Sequence, residues 1–156
     1  MKIENTKKTL IINQLRYITV IAFIVIVVLL LTTDLIRNEF LGLNKYYWAV
    51  IVSLIYLGQN IIEYLKDYNY IYFTDENNII LFRYISLRPF KNKRYSIEIS
   101  KENFHGYKIE RRSPLKQEII FFVKTPQGIA KYPPISISAL SEDEFNKLKK
   151  SLNQHI

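Results

Sequence analysis

YITVIAFIVIVVLLLTT, residues 17–33, and YYWAVIVSLIYLGQNII, residues 46–62, are two runs of 17 residues without a formal charge, separated by 12 residues. At about 1.5 Å rise per residue, a helix over such a run, lengthened by its apolar flanks, approaches the roughly 30 Å hydrocarbon core of a bilayer. The first run is apolar on every face, which the helix of a soluble bundle rarely is. A cleaved signal peptide fits it poorly, because it is too long for an h-region and Leu30-Leu31-Thr32-Thr33-Asp34 lacks the small residues of a cleavage site. The expected class is an α+β membrane protein. A basic cytoplasmic N-terminus covers 1–16, a transmembrane helical hairpin covers 17–65, and a cytoplasmic β domain covers 66–156.

Charge supplies the orientation. Lys2, Lys7, Lys8 and Arg16 stand against Glu4 before the first run, and the connection balances Asp34 and Glu39 against Arg37 and Lys45. After the second run, 16 basic residues face 11 acidic ones. Lys and Arg near span ends resist translocation, so both termini are expected in the cytoplasm. Tyr46, Tyr47 and Trp48 would mark the outer headgroup level, and Tyr64 and Tyr68 the inner one. Gln59 and Asn60 would come level with Asn13, Gln14 and Thr19, where interhelical hydrogen bonds are expected.

From Tyr68 onward the apolar pattern shortens to period two, the signature of half-buried strands. Strands are expected over 68–74, 79–88, 94–100, 104–112 and 117–124, with a last one over 129–137 interrupted by Pro133-Pro134. Asn77-Asn78 suits a tight hairpin, because Asn tolerates positive φ. Ile119-Ile120-Phe121-Phe122-Val123 is apolar on both faces and should be central. Ser141 followed by Glu144 is a capping box, with Leu140 and Phe145 at the staple positions. It opens an amphipathic helix over 142–153 that carries Phe145, Leu148 and Leu152 on one face.

Tyr70-Ile71-Tyr72-Phe73-Thr74-Asp75-Glu76 opening the first hairpin, Tyr95-Ser96-Ile97-Glu98-Ile99 in the third strand, and 135–152 leading through the capped helix carry a family likeness. Antiparallel strands closed by one C-terminal helix, after a two-span hairpin, resemble the bacterial pleckstrin-homology-like membrane proteins, including the YcxB-like group. The resemblance implies a PH-like β-barrel or sandwich at the bacterial inner membrane. It implies no activity. The first hairpin loop, Asp75-Glu76-Asn77-Asn78, is acidic, unlike the basic loop of phosphoinositide-binding PH domains.

Function classes narrow by what the chain lacks. With no cysteine, disulfides, thiolate metal sites and cysteine nucleophiles are excluded. His105 and His155 are the only histidines, and no phosphate-binding or nucleophile-elbow motif occurs. No catalytic residue, metal or cofactor is expected. Glu98, Glu102, Glu110 and Glu118 alternate with Lys and Arg along strands, which points to cross-strand salt bridges. Arg88, Lys91, Lys93 and Arg94 form one basic cluster, and Lys108, Arg111, Arg112 and Lys116 a second around the next hairpin. Near a cytoplasmic leaflet these can meet anionic lipid headgroups or a protein partner, at about 1 kcal/mol per residue. The functional expectation is a membrane-anchored, non-catalytic module that binds protein, lipid headgroups or a second copy of itself, with no role for nucleic acid. The alternatives are an accessory subunit of a larger inner-membrane assembly and an interfacial enzyme.

Overall fold

The computed structural model describes residues 1–33, 44–88 and 93–155. Most of the connection between the two apolar runs, and the centre of the first basic cluster including Lys91, lie outside them. The chain divides into two compact units, Leu10–Glu63 and Met1–Thr9 with Tyr64–Ile156.

The helical unit is built from α1 (Thr6–Thr32) and α2 (Lys45–Lys66), of 27 and 22 residues. These lengths correspond to about 40 and about 33 Å. The helices run antiparallel. Phe23 and Tyr56 stack at 4.2 Å between ring centroids, and Arg16 Nε lies 3.5 Å from Glu63 Oε2 two helical turns away on both helices. The apolar 18-residue window of each helix is 0% buried, so both helices are long and apolar enough to cross a membrane and expose that surface here. Polar side chains within them turn back on their own helix. Thr19 donates to the Arg16 carbonyl at 2.9 Å, Ser53 to Ala49 at 2.8 Å and Asn60 to Tyr56 at 2.7 Å. Thr19 and Asn60 thus satisfy themselves locally, where the sequence suggested bonds between the helices. An i−4 carbonyl is always within reach of a short polar side chain, whatever the partner helix offers.

The β unit starts before the helices. β1 (Lys2–Glu4) pairs antiparallel with β2 (Asn69–Thr74), which follows α2 in the chain, with Ile3 opposite Phe73. β3 (Ile79–Ser86) and β4 (Arg94–Ser100) complete a four-stranded antiparallel sheet in the order β1-β2-β3-β4. The sequence reading kept 1–16 as one lead-in segment. The structure divides it, with 1–9 in the β unit, because Ile3 is buried in the core and only β2 can offer it a ladder partner. Between β2 and β3, Asn77 (φ 52°) and Asn78 (φ 61°) hold the left-handed conformation, and Ile79 N–H donates to the Glu76 carbonyl at 3.1 Å. That is a type I′ turn.

A single 3₁₀ turn, Lys101–Asn103, leads into β5 (Phe104–Ser113), β6 (Lys116–Thr125), β7 (Gly128–Lys131) and β8 (Ile135–Ser136). β6 is central, flanked by β5 on one side and by β7 and β8 in succession on the other. Ile119, Ile120 and Phe121 are all buried, so β6 is covered on both faces. Pro133-Pro134 divides β7 from β8, since proline cannot donate to a ladder. His105 is the extra residue of a bulge whose Gly106 has φ 150°. The core joins the sheets: Phe82 of the first meets Phe121 of the second edge-on at 5.2 Å. α3 (Glu142–Asn153) closes it with Leu148 and Leu152, and Ser141 Oγ and the Glu144 carboxylate each bond the other's backbone N–H. Phe145 is only half-buried, with Lys149 over its ring, so the helix anchors through its two leucines instead.

Two polar anchors tie β1 into place, one buried and one partly buried. Asn5 is 0% exposed. Its Oδ1 accepts from Ile71 N–H at 2.7 Å, its Nδ2 donates to the Asn69 carbonyl at 3.0 Å, and its own carbonyl accepts the first helical bond of α1, from Thr9 N–H at 3.1 Å. One side chain therefore ends a strand and begins a helix. Asn5→Ala leaves the Ile71 N–H and the Asn69 carbonyl short of a partner inside the protein and should lower stability by roughly 2 kcal/mol. A thermal melt of the full chain in mild detergent reads this, and Asn5→Asp should not rescue it, since the Asn69 carbonyl still lacks its donor.

The second anchor is Asp75, whose carboxylate meets the Met1 ammonium and the Ser151 hydroxyl and lies 3.5 Å from His155 Nε2. Burial pushes this carboxyl up, but the bonds from the Met1 ammonium, Ser151 and His155 outweigh it and hold the group at about 2. A carboxylate depressed on folding stabilises above its unfolded value of 3.8 and loses that contribution as pH falls towards 2. Asp75→Asn should therefore cost on the order of 2 kcal/mol near neutrality. The melting-temperature gap to the wild type should close between about pH 4 and pH 2; a gap constant across that range would refute the assignment.

Candidate functional site

On the outer face of the first sheet, alternation sets Tyr70 and Tyr72 of β2, Arg83 and Ile85 of β3, and Arg94 and Glu98 of β4 opposite the buried Ile71, Phe73, Phe82, Ile97 and Ile99. The register puts Tyr72, Arg83 and Ser96 in one row and Tyr70, Ile85 and Arg94 in the next. The result is a groove of about 570 Å³ lined by these residues. Tyr70 donates its hydroxyl to Glu4 at 2.7 Å, and Lys2 Nζ sits 5.0 Å above the Tyr72 ring. The bonds from Thr6 and Tyr70 lower the Glu4 carboxyl; burial, then the bond to Glu4, raises the Tyr70 phenol. Arg83 and Arg94 make no ion pair among the described residues.

The other basic residues are mostly committed. Arg88 Nε lies 2.7 Å from Asp67 Oδ1, and its guanidinium stacks 4.5 Å from the Tyr64 ring centroid. Asp67 Oδ2 meets Lys116 Nζ at 2.9 Å, Lys116 meets Glu118 Oε1 at 2.6 Å, and Glu118, only 3% exposed, faces Arg112 at 3.8 Å. Burial alone would lower the Lys116 ammonium; the bonds to Glu118 and Asp67 raise it instead. Lys108 pairs with Glu110 along its own strand at 2.7 Å. Of these ion pairs only Arg112–Glu118 crosses between strands, because side chains two apart on one strand share a face as readily as cross-strand partners. Arg111 lines a shallow pocket of about 140 Å³ beside Pro114 and Ser138.

The sequence-derived basic residues therefore separate. Arg88, Lys108 and Arg112 are held by carboxylates, Arg94 joins the sheet-face groove, Lys93 is exposed, and Lys91 is outside the described residues. Of the interface aromatics, Tyr46 and Tyr47 are exposed at the start of α2, Trp48 follows them, Tyr64 supports Arg88, and Tyr68 lies under Lys66. Ser141 and Glu144 are occupied with capping. Sequence reasoning missed Arg83 and Tyr72 as neighbours. The signal was present: a two-residue turn centred on Asn77-Asn78 fixes the β2–β3 register and brings them opposite each other.

The groove offers two guanidiniums, phenol hydroxyls and one carboxylate to a bound molecule. Ser151, Asp75 and His155 come together, yet both the hydroxyl and the imidazole approach the one carboxylate, so no imidazole stands between acid and hydroxyl as nucleophile activation requires. His105 is exposed on its bulge. Among the described residues no three His, Asp or Glu side chains converge on a metal position. Compared with protein-family models, curated proteins and solved structures, the chain matches none.

Proposed function

We propose that this chain is a membrane-anchored, non-catalytic binding module. Its two helices cross the bacterial inner membrane as a hairpin, and a PH-like β unit stands at the cytoplasmic face, where it engages lipid headgroups and protein partners. The observation that carries the reading is the β1–β2 ladder. β1 precedes α1, β2 follows α2, and the two strands are hydrogen-bonded neighbours, with Lys2 opposite Thr74 and Glu4 opposite Tyr72. Strands on opposite sides of a bilayer cannot pair, so a chain that leaves with α1 must return with α2. The excess of Lys and Arg beyond the spans favours the cytoplasmic side for both. The PH-like assignment is supported by two antiparallel sheets joined through Phe82 and Phe121 and closed by a capped C-terminal helix.

The test is membrane retention under alkaline wash, together with reporters fused after residue 155 and inserted within 38–44. Retention with a cytoplasmic C-terminal reporter and an external loop reporter is expected. Release by the wash, or reporters on one side only, overturns the anchor. Co-purification in mild detergent then identifies any protein partner.

A further inference from the structure

We propose that the groove on the outer face of the first sheet is a phospholipid-headgroup site, in which Arg83 and Arg94 hold the phosphodiester, the Tyr72 hydroxyl donates to it, and Glu98 accepts from a donor at the headgroup's far end. The proposal rests on the membrane-anchored reading and moves the lipid contact from the loop after β3 to the sheet itself.

Three observations carry it. First, Arg83 and Arg94 occupy diagonal positions on one face, because Arg83 opposes Ser96 while Arg94 opposes Ile85. An anion held between two such cations would relieve their mutual repulsion. Arg16, Arg88 and Arg112 each lie within 4 Å of a carboxylate, whereas these two do not among the described residues, although Glu98 stands on the other diagonal of Arg83. Two guanidinium forks suit the two non-bridging oxygens of a phosphodiester. Second, Tyr72 makes no hydrogen bond with its hydroxyl among the described residues, and its ring, the Tyr70 ring and the aliphatic Ile85 side chain line the groove beside the cations. A groove of about 570 Å³ accommodates a headgroup. Third, only Asp67, Tyr68 and Asn69 separate the end of α2 from Tyr70. The chain can carry Tyr70 at most about 14 Å from Lys66. A lipid phosphate is therefore present at the site at far higher local concentration than any free anion.

Glu98 shapes the selectivity. It lies at the other end of the groove, opposite Leu81, and makes no ion pair among the described residues. A headgroup with a hydroxyl or ammonium beyond its phosphate gives Glu98 a donor; phosphocholine gives it none.

The test titrates the full chain in non-ionic detergent with dihexanoyl-phosphatidylglycerol, -phosphatidylethanolamine and -phosphatidylcholine, and with inorganic phosphate, by calorimetry. Glycerol and ethanolamine headgroups should bind about tenfold tighter than choline, and phosphate weaker still. R83Q/R94Q should lose at least about tenfold affinity for phosphatidylglycerol, while K124Q/K131Q, with the same charge change on exposed positions of the second sheet, should lose little. E98A should erase the preference over choline. Unchanged binding by R83Q/R94Q with an unchanged melt overturns the site. So does an equal loss in K124Q/K131Q, or tighter binding of phosphate or of a phosphoserine peptide than of the lipids. Alkaline wash separates the two readings. Arginine-dependent lipid binding in a chain that washes off sinks the anchor but keeps the groove, and a retained chain without such binding sinks the groove alone.

Discussion

Phe121→Ala should destabilise the β unit by about 3–5 kcal/mol, a fifth or more of what a domain of this size commonly has. Phe121 is 0% exposed and sits where the two sheets meet, edge-on to Phe82 at 5.2 Å and 6.4 Å from Phe104. Removing the ring leaves a cavity bounded by elements of both sheets. Neither can collapse into it without breaking its own ladder. Denaturant melts of the full chain in mild detergent, followed by the β-sheet signal, measure the loss. Phe145→Ala is the internal comparison. Its ring is half-buried, so it should cost about 1–2 kcal/mol, well below the cost of truncating a fully buried ring. Equal losses at the two positions would mean that Phe121 is not the seam of the core.

Lys116→Met should cost about 3 kcal/mol, because it strips the cation from between two carboxylates of which Glu118 is 3% exposed. Asp67 keeps Arg88 at 2.7 Å, but Glu118 is left with Arg112 at 3.8 Å alone. Lys116→Met with Glu118→Gln should recover much of the loss, since the buried charge then goes with its partner. A double variant as unstable as the sum of the singles would show that Lys116 acts through packing. The pH sign is opposite to that of Asp75. An ammonium raised on folding contributes in full below its ordinary value of 10.5, and the contribution disappears only as pH climbs through the higher folded value.

Much of this architecture was readable from local chemistry. Ser141 and Glu144 announce a helix within four residues. Asn77-Asn78 announces a type I′ turn, and the five-residue apolar run about Phe121 announces a central strand. Each signal is complete within a few residues of itself. β1 was not readable for the converse reason: Lys2-Ile3-Glu4 is too short to be a strand alone and exists as one through Phe73 and its neighbours. The site divides the same way. Tyr72 and Arg83 follow from the hairpin turn, whereas Arg94 joins them through a β3–β4 pairing whose connecting residues give no turn of fixed register. Arg88 looked like a free cation because Asp67 and Tyr64 are distant from it in sequence. The boundary at 66 has a practical cost as well: a fragment beginning there would lack an edge strand, Asn5 and the Met1 contact to Asp75.

The position of β1 also imposes a timetable on synthesis. Ile3 leaves the ribosome first, yet its partner Phe73 is made only after both apolar helices. At about 5–20 residues per second the delay is roughly 4–14 s. Throughout that interval an apolar residue and an open strand edge wait unpaired. On the proposed topology they would find their ladder only once the hairpin had brought the chain back to the same compartment. The first sheet, on that topology, could close only after the hairpin had formed. A chain without its second helix in place would then keep the edge of β2 open.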